Sequence, residues 1–153
     1  MDVVLHFTNH KEQVMKNKLQ QATWALSDKD NKQLISLSGE QPLQMKHSYG
    51  TALPLLRDDS LPKKFGADLI RFKPNTGIGL HTHVGAHILL VIKGTGTLTY
   101  HDEKYDMFPG IVYLIESDIP HAIDSITELV IMAIGNDHQP ADSFSRLEVA
   151  KDE

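Results

Sequence analysis

The chain has 153 residues, 41% apolar and 23% charged, an ordinary globular composition at the length of one domain. It contains no cysteine, which excludes disulfide scaffolds, Cys-ligated zinc, iron–sulfur clusters and thiol nucleophiles. Fifteen Lys and Arg against twenty Asp and Glu give a net charge of −5, so no basic field draws the protein to nucleic acid. Apolar runs such as Leu129 to Ala133 fall far short of the roughly 18 residues of a membrane span, and Met1-Asp2 does not open a signal peptide. The expectation is a soluble, cytoplasmic protein.

Residues 1 to about 60 are polar and rich in Gln, Lys and Asn, and read as an N-terminal extension. Asn9 and Glu12 form a capping pair ahead of Val14, Met15, Leu19 and Ala22, which predicts a short helix. Ala22 to Leu26 and Gln33 to Leu37 flank the turn-rich Ser27 to Asn31 and predict a hairpin. Pro42, Gly50, Pro54 and Pro62 then exclude a long helix.

From about residue 61 to 138 the texture is that of short strands: 68–73, 79–83, 87–93, 95–100, 111–115, 122–125 and 128–134. Between them lie turn sequences, and Asp102-Glu103-Lys104 reads as a solvated hairpin turn. Strands this short and this closely spaced predict an all-β barrel or sandwich. Residues 139–153 form a polar C-terminal tail, so the whole chain reads as one domain. Gly94-Thr95-Gly96-Thr97 leads into a strand and lacks the third glycine of a dinucleotide fingerprint. Segments 88–92, 111–115 and 129–134 are apolar on both faces. One face fills a barrel; the other needs cover from the N-terminal segment or a second subunit, which predicts a homodimer.

The unusual residue is histidine, at nine. His81 and His83 are two apart on a strand and project from one face, and His87 keeps that parity if the chain turns tightly at Gly85. At this histidine frequency about 0.03 matches to such a spacing arise by chance per chain. Three imidazoles on one face are best explained by a metal ion. His6, His10, His47, His101 and His138 sit in polar or turn-like sequence and are read as surface residues without a ligand role. His47 has an added interest, because Met45 to Tyr49 precedes the barrel and could fold over its mouth.

The run His81-x-His83-x3-His87-x6-Gly94 resembles the first sequence motif of the cupins, with His87 where that family usually has Glu. Gly110, Ile115, Pro120 and His121 resemble its second motif. Asn75 stands where the first motif has its leading glycine, while Glu116, Asp118 and Ser125 replace a proline, a glycine and an asparagine of the second. Asp tolerates the left-handed geometry of the missing glycine better than most residues, so the bend at Asp118 survives.

The resemblance implies a cupin-type small β-barrel, a double-stranded β-helix or jelly roll, behind an N-terminal extension with a short helix. It also implies one divalent metal per chain, held by His81, His83, His87 and His121. Imidazole donors suit several metals; Fe is preferred, ahead of Mn, Ni and Zn. Four neutral imidazoles leave the full charge of the ion uncompensated, which favours small anionic, chelating ligands. The family's range makes an oxygenase-type enzyme the first expectation. The alternatives are a Lewis-acid isomerase, lyase or decarboxylase for a sugar acid or keto acid, and a non-enzymatic small-anion or sugar sensor. No residue is identified as a general acid or base.

Overall fold

The computed structural model describes residues 19–26, 34–36, 40–60 and 64–149. The expected N-terminal helix falls largely on residues outside this set, and residues 19–23, which are described, carry no regular structure. In chain order the described strands are β1 (Trp24–Leu26), β2 (Leu34–Ser36), β3 (Leu43–Gln44), β4 (Thr51–Asp58), β5 (Phe65–Phe72), β6 (Gly77–Thr82) and β7 (His87–Lys93). They continue with β8 (Gly96–Tyr100), β9 (Glu103–Met107), β10 (Val112–Ile115), β11 (His121–Ser125), β12 (Leu129–Gly135) and β13 (Glu148–Val149). A 3-10 turn spans Phe144–Arg146.

Two antiparallel sheets enclose the core. One has the order β10-β7-β12-β5-β4-β3 and the other β13-β6-β11-β8-β9. Alternation along the strands decides which side chains face inward. On β5 and β12, Ile70, Phe72, Leu129, Ile131 and Ala133 join the cluster between the sheets, together with Ile78, Leu89, Val91, Leu98, Met107, Ile115 and Ile123. Their neighbours Leu69 and Val130 point the other way and, with Leu53, form a second cluster on the outer face of the six-stranded sheet. Trp24 and Leu26 of the β1–β2 hairpin pack against this cluster, as do Leu55, Ile92 and Met132. The N-terminal extension therefore covers one part of the second apolar face, as the sequence requires. Ile88, Val112 and Leu114, on the neighbouring strands β7 and β10, stay exposed.

Two segments differ from the sequence reading. Residues 51–58 form a full strand in spite of Pro54, because the β4–β5 register shifts between Pro54 and Leu56. A bulge is where a strand tolerates a residue with no N–H to donate. The charged run after Tyr100 is not all turn: only His101 and Asp102 turn, with His101 at φ 53°, and Glu103–Met107 is a strand. As the last strand of its sheet, β9 presents Glu103, Lys104, Tyr105 and Asp106 to solvent, the charged edge that discourages further strand pairing. The left-handed bend at Asp118 is present, at φ 60°.

Ile131 has no exposed surface and lies at the centre of the inner cluster. Ile131→Ala is expected to lower stability by about 2–5 kcal/mol, read as a shift of the urea midpoint at unchanged m-value. A loss below about 0.5 kcal/mol would contradict the inward register of β12.

Candidate metal centre

Antiparallel pairing of β6 with β11 sets His81 directly opposite His121. His83 follows β6 by one residue and His87 opens β7 across the short turn through Val84 and Gly85. The ring centroids of His81 and His121 are 4.1 Å apart, those of His83 and His121 4.8 Å, and those of His81 and His83 5.8 Å. One ligating nitrogen from each of His81, His83 and His121 can be chosen so that all lie within 4.8 Å of one another. His87 is outside that trio but not remote from it. Its ring stacks on His83 at 4.2 Å, and all four imidazoles line one cavity.

Hydrogen bonding selects the ligating atom. The Nδ1 atoms of His81, His83 and His121 lie 2.8, 2.6 and 2.8 Å from the carbonyl oxygens of Gly79, Gly85 and Ile119. A carbonyl only accepts, so in each neutral ring Nδ1 carries the proton and Nε2 keeps its lone pair. This is the arrangement that orients imidazoles for a metal ion. The donor set therefore fits a divalent ion suited to neutral nitrogen ligands. Among the described residues no hydrogen bond holds either ring nitrogen of His87. What positions that ring is space: a Cβ on Gly135 would lie 2.0 Å from His87 Cδ2, so only glycine at 135 admits the imidazole where it stands.

Burial keeps the cavity neutral. Desolvation pushes His81 down to about 4, with the neighbouring His83 adding to the effect, and pushes His121 down to about 3. His87 falls to about 2, again first through burial and then through His83, His138 and Arg146, and His83 is lowered for the same leading reason. Met45, Ile70, Phe72, Ile78, Leu89, Ile123, Ala133 and Leu147 complete the wall with Arg146, and the cavity encloses about 40 Å³.

Behind His87 lies a group that the sequence reading missed. His138, expected at the surface, is buried, and its Nε2 is 2.7 Å from Asp68 Oδ2. Arg146 Nη2 reaches the same oxygen at 2.7 Å, and Arg146 Nη1 donates to the Gln139 carbonyl at 2.8 Å. Burial would raise the Asp68 pKa, but the His138 hydrogen bond and the Arg146 charge outweigh it and hold the carboxyl below its ordinary value. The His138 ring sits 5.3 Å from His87, over Gly66, where a Cβ would meet it at 2.7 Å. Asp68 was open to detection, since it shares inward parity with Ile70 and Phe72. Arg146 and His138 lie in polar sequence with no periodic signal. His47 and His101 are exposed, as expected, whereas His6 and His10 lie outside the described residues.

The sequence profile of the family described as Cupin domain matches residues 68–135. No curated protein matches the sequence. Among solved structures, the polyketide cyclase RemF of Streptomyces resistomycificus is similar at TM-score 0.61 and 16% identity, over 78% of this chain and 85% of that one. A predicted oxalate decarboxylase of Thermotoga maritima aligns at TM-score 0.56 and 18% identity, over 65% and 94%. A salicylate 1,2-dioxygenase variant of Pseudoaminobacter salicylatoxidans, in complex with gentisate, aligns at TM-score 0.54 and 15% identity, over 61% of this chain but 27% of that one. At such identities these likenesses establish a shared fold.

The lowered histidines make metal-free protein acid-sensitive. Below about pH 6.5 the unfolded chain protonates these imidazoles while the native cavity keeps them neutral, so the unfolded state binds more protons and stability falls with pH. The loss runs from about 6.5 down towards 4, where His81 begins to protonate in the fold. Each histidine contributes at most about 1.4 kcal/mol per pH unit. Melting temperatures of metal-free protein should decline steadily between pH 7 and pH 4.5, and His87→Gln should flatten the slope; a flat profile for the unsubstituted protein would contradict the buried neutral cavity.

Proposed function

We propose, on the premise that this chain carries a cupin domain over residues 68–135, that its histidine cavity binds one divalent metal ion and works as an oxygenase-type site. The substrate is a small oxygenated molecule that chelates the ion. The carrying observation is the convergence of His81, His83 and His121 with Nε2 left free by the three Nδ1–carbonyl contacts. His87 is the fourth donor: it lines the same cavity, is neutral, and has both ring nitrogens uncommitted. Fe ranks first, then Mn, Ni and Zn. A bound ion of this kind supplies Lewis acidity and, with Fe or Mn, a redox couple.

The chain's own residues do the remaining work. The imidazoles bring no negative charge, so the ion's charge is left for an anionic chelating ligand. Phe72, Ile78, Leu89 and Ile123 keep bulk water from the reacting end. Among the described residues lining this cavity there is no carboxylate, hydroxyl or lysine to pass a proton. Isomerase or lyase chemistry depends on such a group, which places that reading second and a non-enzymatic anion sensor third.

Protein purified without an affinity tag is expected to hold about one metal ion per chain, matching the single cluster of convergent imidazoles among the described residues. His81→Ala and His121→Ala should each abolish metal binding, and His87→Ala should weaken it less. Oxygen uptake is then measured against diketones, catechols, thiols and keto acids. Full metal loading of the His81→Ala/His121→Ala double variant would refute the assignment. Metal loading without uptake on any of these compounds would favour the sensor.

The exposed strip of Ile88, Val112 and Leu114, continued by Leu90 on β7, supports a homodimer formed through the outer face of the six-stranded sheet. Leu114→Glu should shift micromolar protein towards the 17.1 kDa monomer in sedimentation. A monomeric unsubstituted protein would refute the dimer.

A further inference from the structure

We propose that Arg146 is a carboxylate anchor, and that the ligand of the histidine cavity is a compact monocarboxylate with an apolar body. The second half rests on the metal reading above; the anchoring by Arg146 stands without it. Arg146 is 5% exposed and lines both the histidine cavity and an adjoining cavity of about 220 Å³, which His83 and His87 also line and where Asp137 and Glu148 place two carboxylates. Among the described residues it is the one cationic side chain lining either space, and no acidic side chain lines the histidine cavity.

The guanidinium is not used up by the fold. Of its five N–H groups, the structure engages one on Asp68 and one on the Gln139 carbonyl. Among the described residues its Nε makes no hydrogen bond, and that atom is not fully buried. Asp68 compensates the charge from behind without lining the cavity, and its Oδ2 is shared with His138. Arg146 is close enough to the imidazoles for its charge to act on His83 and His87.

Size and wall chemistry define the rest of the ligand. A water molecule needs about 10–15 Å³ of such space, so the histidine cavity, at about 40 Å³, holds only a few heavy atoms. Met45, Ile70, Phe72 and Leu147 offer no hydrogen-bonding partner to a polar body. A carboxylate suits the planar fork of Arg better than a spherical or tetrahedral anion does.

The obvious alternative is that the Asp68–Arg146 pair only ties the C-terminal segment to the barrel. Calorimetric titration at fixed ionic strength separates the two, using acetate and pyruvate as probes, acetamide as the neutral isostere and inorganic phosphate as the tetrahedral control. Metal-free and zinc-loaded protein are measured in parallel. The carboxylates are expected to bind in both states, and acetamide in neither. Asp68→Asn releases the guanidinium and should tighten acetate binding. Asp68→Asn/Arg146→Met removes one charge of each sign, so a general field effect would leave affinity unchanged, whereas loss of the anchor lowers it about tenfold or more.

Zinc loading should be the same in every variant. If the double variant does not retain native near-UV dichroism, Arg146→Lys decides: it keeps the charge, loses the fork, and should still weaken acetate several-fold. Acetate affinity unchanged in a folded double variant, or unchanged in Arg146→Lys where the double variant does not fold, overturns the proposal. So does acetamide binding as well as acetate, or phosphate binding more tightly. Failure of zinc to bind the unsubstituted protein would overturn the metal reading instead, leaving the metal-free titrations to judge Arg146.

Discussion

Three backbone carbonyls decide what this cavity can hold. Gly79, Gly85 and Ile119 each accept from the Nδ1 of a histidine two residues away, which turns three flexible, two-tautomer rings into Nε2 donors of fixed orientation. Because these contacts are local, they are set by the conformation of β6, the turn after it and the entry to β11, and need no distant side chain. What the wider fold must add is register. Pairing of His81 with His121 across β6 and β11 brings the second motif to the first, and a one-residue slip would send one ring out of the barrel. The core clusters thus serve the site by holding two strands in phase.

Closure of the site draws on distant parts of the chain. Val149 of β13 pairs with His81 and Glu148 with Thr82, so the C-terminal segment lies along the strand that carries the first cavity histidine. From the other side, Met45 enters the cavity wall, while His47 and Lys46 pack on the Phe144 ring at 5.8 and 4.9 Å. The Arg146–Asp68 pair is the buried anchor of this closure. Two charges taken from water at considerable cost are held there by each other and by His138. An ion pair kept for stability alone often has an apolar substitute of similar volume, but such a substitute would bring no unengaged N–H groups to the cavity that Arg146 lines.

Most of the barrel was legible in the sequence because its signals are local. Strands 87–93 and 128–134 announce themselves as short apolar, β-branched runs bounded by turn residues, and the His81, His83, His87 spacing through the parity of a strand. The missing parts are those in which one residue contradicts its neighbours. Pro54 argues against a strand unless a bulge is known to lie there. The charges of Glu103 and Lys104 suit an edge strand as well as a turn. His138 and Arg146 are buried by the return of the C-terminal segment, a long-range event to which polar local sequence gives no clue. Similarly, the sequence resemblance treats His81, His83, His87 and His121 as equals. The structure distinguishes three rings fixed by carbonyls from one fixed by space.

That distinction bears on why a histidine stands where related motifs have a glutamate. His87 is accommodated by Gly135, directly across the β7–β12 pairing, and by the way its ring lies between His83 and His138. A carboxylate at 87 would lie close enough to Arg146 to compete with Asp68 for its charge. With imidazole there, Asp68 keeps both its partners, the cavity wall carries no acid, and Arg146 supplies its positive charge. The imidazole at 87 therefore leaves an enclosure lined by four neutral rings and one guanidinium, with no acidic side chain in its wall among the described residues.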